Sequence, residues 1–407
     1  MDYQQIIEVT SKADNELPRY VGKRWVKIHP QENSIGSGAV NYNCQNVADK
    51  WVSYSDGYLL LTAELGRTEL PSKTVAPKAS FSFLDQVNVL LNNQEVDQSR
   101  FCFISNAILN ALEYSPDYAK VAERYCYAWD TSKDDTNNSG HTTRKLMIPS
   151  PTSNKLTFNL KIPLSYVSTF FRRLDFPIIN QRVELQVRYR TTNAVLREEG
   201  GEVTVDIKSA VLHLPIVEFP HKYESQIMQK LSRKSFTREL VWDKFVYPEA
   251  SPRSAGALDI SVATSAVAAK KLLCLAVPNA RWDSQQHIET TSDSHFTNLN
   301  IVIDSEEFYP QDIAGSPEAY ELLVENFNMG GKDPNTGSQL SYSDWLTNHR
   351  YYVFDLSRQK VFERDPRKAQ TIRFRGTLSA DSRVLFFLTQ EKVTTFDFAD
   401  PHNTKTI

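Results

Sequence analysis

Two stretches of this 407-residue chain repeat one another at a fixed distance. "VNVLLNNQEVD" (87–97) and "LNIVIDSEEFY" (299–309) lie 212 positions apart. Asn88 matches Asn300 and Glu95 matches Glu307 at that offset. Each is an apolar strand, a polar two-residue turn (Asn92-Asn93, Asp304-Ser305) and a short return strand, the pattern of a hairpin. The helical segments that follow, "SNAILNALEY" (105–114) and "SPEAYELLVENF" (316–327), stay in register, with Ala107 on Ala319. "VTVDIKSAVLHL" (203–214) and "RVLFFLTQEKVTTF" (383–396) read as strand pairs closing their halves. A hairpin, a helix and closing strands in the same order predict two copies of one domain.

The remaining periodic segments run five to nine residues and stop at polar turns. They include "GYLLLTAEL" (57–65), "KLTFNLKI" (155–162), "RVELQVRYR" (182–190), "LVWDKFVY" (240–247), "LDISVA" (258–263), "KLLCLAV" (271–277), "YYVFDL" (351–356) and "TIRFRGTL" (371–378). A dozen or more short strands with few helices predict an all-β protein built of sandwiches. Loops are expected at 130–145, 251–257 and 328–339. The basic, aperiodic "HKYESQIMQKLSRKSFTR" (221–238) reads as the inter-domain linker. Residues 1–30 are expected as an N-terminal arm and 399–407 as a tail, both outside the two domains, 31–220 and 239–398.

One segment stands out between two strands. In "IPLSYVSTFFRRLDFP" (162–177), Tyr166, Val167, Phe170, Phe171 and Leu174 recur on one helical face, with Ser165 as the cap and Pro177 as the stop. Arg172 and Arg173 fall in the last turn, where the helix dipole favours cations. No acid, base or metal ligand lies on the aromatic stripe. It is expected to be a structural lid on the first domain, and the two arginines are candidate intersubunit contacts.

No catalytic signature emerges. Gly330-Gly331-Lys332 precedes Asp333 where a phosphate-binding loop needs Ser or Thr, and no cofactor motif occurs. His287, Glu289, Asp293 and His295 are metal-ligand types without a frame to fix their spacing. Cys44, Cys102, Cys126 and Cys274 show no paired spacing and are expected as reduced thiols. The formal net charge of −3 argues against a coat that neutralises phosphates directly. The first residues have no apolar core of signal-peptide length, so a protein made in the cytosol or nucleus is expected.

Together, "FSFLDQVNVLLNNQEVD" with the helix after it, "IPL" and "FFRRLDFPIIN" before "RVELQVRYR", "LNIVIDSEEF" with "AYELLVENF", and "YYVFDLSR" before "TIRFRGTL" resemble double jelly-roll major capsid proteins. The likeness is to the Polinton-like virus, virophage and adintovirus branch of the adenovirus and tectivirus lineage. It implies two tandem eight-stranded jelly rolls with a few short helices and no enzyme activity. It further implies a homotrimeric, pseudo-hexameric capsomer of an icosahedral double-stranded DNA virus. Its partners would be neighbouring capsomers, a single jelly-roll penton, minor capsid proteins and an internal membrane, without sequence-specific nucleic-acid binding. A tandem β-sandwich binding carbohydrate or a receptor is the alternative, with Trp51, Trp129, Trp282 and Trp345 as its candidate aromatics.

Overall fold

The computed structural model describes residues 22–32, 35, 38–67, 75–77, 80–113, 139–146, 155–190, 196–198, 203–221, 225, 229, 237–247, 251–282, 293–326, 340–356 and 369–407. Beside a two-stranded ribbon of Val75–Pro77 with Leu196–Glu198, the first half builds its sheets from eight strands: β1 (Gly22–Ile28), β2 (Ala39–Asn43), β3 (Tyr58–Arg67), β4 (Leu84–Leu91), β5 (Gln94–Arg100), β6 (Lys155–Pro163), β7 (Val183–Tyr189) and β8 (Val203–Glu218). They make two antiparallel sheets, ordered β1-β8-β3-β6 and β2-β7-β4-β5. The second half supplies β9 (Thr237–Val246), β10 (Gly256–Ala266), β11 (Ala269–Pro278), β12 (Phe296–Ile303), β13 (Glu306–Glu307), β14 (Tyr352–Asp355), β15 (Gln370–Leu378) and β16 (Ser382–Asp397). Their order is β9-β16-β11-β14 and β10-β15-β12-β13. Adding eight to every strand of the first half gives the second. Each half is a jelly roll.

The repeated hairpins occupy the same place in both rolls, as β4–β5 and β12–β13. Their turns share a backbone that L-residues rarely adopt. Asn92 and Asn93 have φ of 52° and 66°, and Asp304 and Ser305 have 48° and 78°. Two positive φ values in succession make the type I′ turn that matches strand twist, and Asn and Asp tolerate that region best. The turns are tied down identically. Asn92 N–H donates to Arg182 O (2.8 Å), and Arg182 N–H donates back to Asn92 Oδ1 (2.9 Å). Asp304 N–H donates to Thr371 O (3.0 Å), and Thr371 N–H returns to Asp304 Oδ1 (2.8 Å). A duplicated polar side chain thus pins each hairpin to the neighbouring strand.

Six helices are described: α1 (Cys102–Glu113), α2 (Ser139–Leu146), α3 (Leu164–Val167), α4 (Thr169–Arg173), α5 (Ser316–Asn326) and α6 (Tyr342–Thr347). Two apolar cores fill the rolls, and each borrows from the other half. Phe103, Ile104, Ile108, Leu109 and Leu112 of α1 belong to the second core. Leu240, Trp242, Phe396 and Phe398 belong to the first. The halves are therefore joined by shared packing, because a sandwich open at one side buries its apolar surface on its neighbour.

Several expectations change. Residues 22–28 are not part of an arm: β1 pairs along its length with β8, Gly22 facing Glu218 and Ile28 facing Leu212. Its exposed cations disguised an edge strand, which buries little on its outer side. The tail 399–407 is not outside the rolls either, since Thr406 and Lys405 pair with Thr394 and Thr395 of β16. "VTVDIKSAVLHL" and "RVLFFLTQEKVTTF" each lie in one sixteen-residue strand rather than a strand pair. Within 251–257, residues 251–253 pair with β16 and Gly256 opens β10. The helix Ser139–Leu146 takes in residues 139–145 of the stretch expected as loop. Of the linker 221–238, only 221, 225, 229, 237 and 238 are described, and the last two begin β9. Residues 328–339, Cys126 and Trp129 lie outside the described residues.

Candidate functional site

The seam between the rolls holds two of the chain's largest fully buried side chains, Trp242 and Phe170. Its first-roll wall is built by the aromatic segment after β6. That segment is two short helices, not one. Leu164–Val167 and Thr169–Arg173 are separated by Ser168, whose backbone is extended (φ −134°, ψ 128°). Ser165 does not cap; Pro163 stands at that position with no side-chain cap bond. The helix ends at Arg173, before Pro177, and Leu174 lies just beyond it. The break has a polar cause. Ser168 Oγ donates to Asp97 Oδ2 on β5, and Asp97 also accepts from the backbone of Phe170 and Gln98. Ser99 Oγ donates to Val167 O (2.6 Å). A carboxyl group receiving the Phe170 amide at the start of α4 offsets the loss of helical continuity at Ser168.

Tyr166, Val167, Phe170, Phe171 and Leu174 are all buried. Neighbours on α4 lie about 100° apart around its axis, and the two phenylalanines serve different halves. Phe171 stacks on Tyr54 inside the first roll, centroids 5.8 Å apart. Phe170 meets Trp242 of β9 edge-on at 5.4 Å and Phe396 of β16 at 6.2 Å. Phe176 continues the row, 5.5 Å from Phe396 and 6.3 Å from Phe398. Edge-to-face pairs of this kind add about 0.5–1.5 kcal/mol each beyond burial. Trp242 Nε1–H donates to Thr394 Oγ1 (3.0 Å), so its buried donor is satisfied. Arg238 lies over the Phe176 ring at 4.2 Å.

Arg172 Nε–H donates to Ser165 O (2.8 Å), which fastens α4 back on α3. Arg173 is exposed. The two neighbours therefore differ in a way the sequence does not signal.

A polar clasp closes one end of the seam. Asn92 Nδ2 donates to Gln181 Oε1 (2.8 Å) and to Pro401 O (2.9 Å). Asn180 Nδ2 donates to Phe398 O (2.8 Å), and Gln181 Nε2 to Asp397 O (2.9 Å). Thr404 Oγ1 donates to Gln181 Oε1 (3.0 Å). The hairpin turn of the first roll thus holds the end of the second.

Asp97 is the one acid of the described seam with a displaced titration. Burial raises its pKa; Ser168 and Lys244 of β9 oppose the rise. The native state then holds the proton at pH values where the unfolded chain has released it. Stability falls as pH rises from the ordinary carboxylate range through the raised value, and is flat above it. Asp97→Asn keeps an acceptor for Ser168 and removes this slope. Urea midpoints from pH 4 to 8 should differ most between the parent and Asp97→Asn at the alkaline end, with the variant the more stable. Equal pH dependence of the two would sink this account.

The other candidates do not assemble into a centre. Asp293 pairs with Arg281, and His295 Nδ1 lies 3.2 Å from Ser379 Oγ. His287 and Glu289 lie outside the described residues. No group of three His, Cys, Asp or Glu suited to a metal exists among the described residues. Cys44, Cys102 and Cys274 are free and buried, and burial pushes the Cys44 thiol up to about 12. Trp51, Trp282 and Trp345 are also buried.

Neither a protein-family model nor a curated protein matches the chain. Solved structures do. A chain of the 3.5 Å cryo-electron microscopy structure of the Sputnik virophage superposes with a TM-score of 0.65 at 9% identity, over 98% of this chain and 90% of that one. The mavirus major capsid protein gives 0.61 at 10% identity, over 98% and 93%. The Faustovirus major capsid protein gives 0.59 at 8%, over 95% and 92%. Strand order, the repeated pinned hairpins and these superpositions agree that the chain has the double jelly-roll fold of virophage and large DNA virus capsid proteins.

Proposed function

We propose that this chain is a major capsid protein, the structural subunit of an icosahedral shell around double-stranded DNA. The observation that carries the reading is the strand order of two complete jelly rolls, followed over nearly the whole length of capsid proteins that share about a tenth of its residues. In this reading three copies form a pseudo-hexameric homotrimer, because two similar rolls in three chains present six similar sides. Neighbouring capsomers, a single jelly-roll penton and minor capsid proteins complete the shell. The protein is made in the host cytoplasm or nucleus and ends in the virion. No catalysis, cofactor or sequence-specific nucleic-acid contact enters.

The shared cores support this reading, since a shell subunit must hold its two rolls at a fixed angle. Tyr166, Val167, Phe170, Phe171 and Leu174 act in it as a structural lid that also docks the second roll. Arg173 is the arginine we assign to an intersubunit contact. The carbohydrate-binding alternative loses three of its four aromatic candidates to burial.

Native mass spectrometry and negative-stain microscopy of the purified protein test the reading. Trimers with a hexagonal outline are expected. A monomer at all concentrations that binds glycans on an array would replace the capsid reading with the lectin one.

A further inference from the structure

β1 is held on one side only, by its seven residue pairs with β8. Its side chains alternate. Ile28 is buried and Val26 packs on the first core, while Lys23, Trp25 and Lys27 are exposed on the opposite face. Little apolar surface therefore anchors the strand, and Trp25 keeps 47% of its surface. Its ion pairs, Lys23 with Asp56 and Arg24 with Glu218 (3.7 Å), are exposed and add little. An edge element of this kind opens before the rest of its sheet does.

One row of side chains crosses the outer face of this sheet at the edge. Lys27 of β1 pairs with His213 of β8, and His213 pairs with Tyr58 of β3, so the three side chains leave the sheet on the same side. The imidazole stacks on the Tyr58 ring, centroids 4.8 Å apart and planes 9° from parallel. Lys161 of β6 places Nζ 3.9 Å from the centre of the same ring, and Trp25 reaches it at 5.2 Å. His213 is only 8% exposed, although Lys27, Tyr58 and Lys161 beside it are exposed or half-exposed.

The charges around this imidazole carry one sign. Lys27 and His29 act on it from the β1 side and Lys161 from β6, while its same-face neighbours on β8 are Val211 and Pro215. Among the described residues no carboxylate acts on it, and the acids of the same edge, Asp56 and Glu218, are engaged by Lys23 and Arg24. Burial, Lys27, Lys161 and His29 together hold His213 below the usual imidazole range. Lifting β1 away removes Lys27 and His29 and gives the ring water, so the opened edge takes up a proton more readily than the closed one.

We propose that His213 is an acid-sensitive latch, whose protonation drives β1 off β8 and opens the first roll at that edge. The closed edge is fully held above the ordinary imidazole range, about pH 6.5. It weakens as pH falls through that range toward the lowered value of the closed state, and changes no further below it. Asp97 in the seam works in the opposite direction, so acid loosens the edge of the roll while favouring the seam. Release of β1 also uncovers the hydrogen-bonding groups of β8, which becomes the edge strand in its place. The inference rests on the fold alone; in the capsid reading it gives the shell a joint that mild acid slackens.

Hydrogen exchange of the full chain, at one concentration and corrected for the intrinsic pH dependence of exchange, tests the latch. Residues 22–28 should lose protection between about pH 7.5 and about pH 5, while β3 and β6 keep theirs. His213→Gln stays neutral throughout and should keep residues 22–28 protected in acid. Lys27→Met removes one repelling charge at an exposed site, so it should raise the His213 titration midpoint read by NMR and shrink the loss in acid. That variant decides the matter if His213→Gln does not fold. Three results overturn the proposal: a parent equally protected over 22–28 at both pH values, a His213→Gln chain that loses protection as the parent does, or a His213 midpoint that Lys27→Met leaves unmoved.

Discussion

Alanine at Phe170 should lower the melting temperature by roughly 3–6 °C and split the unfolding transition in two. The ring is fully buried and touches Trp242 and Phe396, which belong to the other half of the chain. Removing a buried phenylalanine costs about 3–5 kcal/mol through lost transfer energy and the cavity left behind. A cooperative unit of 407 residues loses about 1 °C for each kcal/mol. The contrast is Phe171→Ala. Phe171 packs on Tyr54 within the first roll, so its loss should destabilise by a similar amount while leaving the halves coupled. Calorimetry of both variants separates the cases. A single transition at the parent temperature for Phe170→Ala would show that the two rolls do not depend on this ring.

Ending the chain at Phe398 should weaken it by roughly 2–6 kcal/mol. The truncation removes the acceptor Pro401 O from Asn92, the donor Thr404 Oγ1 from Gln181, and the pairing of residues 405–406 with β16. Each net hydrogen bond is worth about 0.5–1.5 kcal/mol, and more where a half-buried partner is stranded. Urea unfolding followed by tryptophan fluorescence reads the difference. A truncated chain with the parent's midpoint would mean that the last residues are the detached tail their composition suggests.

The duplication was legible because it rests on local chemistry. Asn92-Asn93 and Asp304-Ser305 are residues that accept a left-handed backbone, and they sit between apolar runs of strand length. The long strands were legible for the same reason. β1 was not, because "GKRWVKI" has three cations and one tryptophan, and an edge strand shows its periodicity on one side only. The aromatic stripe at 166–174 was legible as buried surface. Its division of labour was not. Phe170 and Phe171 are adjacent and identical, and α4, set off at Ser168 by an acid 71 residues away, aims them at different rolls. Nothing near Asp97 in sequence signals that partnership. The clasp of Asn92, Asn180 and Gln181 on the chain terminus was hidden likewise, since it joins residues more than two hundred positions apart.

The exchange of core residues bears on how such a chain can be made. Translation delivers α1 long before β9 and β11 exist. During that interval Ile104, Ile108 and Leu112 lack part of their native cover, because they also belong to the core of the second roll. The first roll therefore emerges from the ribosome complete in strands but with an adhesive flank, and only the end of synthesis masks it. The second roll is equally dependent, since its Trp242 and Phe396 need the aromatic helices already in place. A gene cut between the rolls would not yield two soluble single-roll proteins. Halves that share side chains in this way fold as one unit.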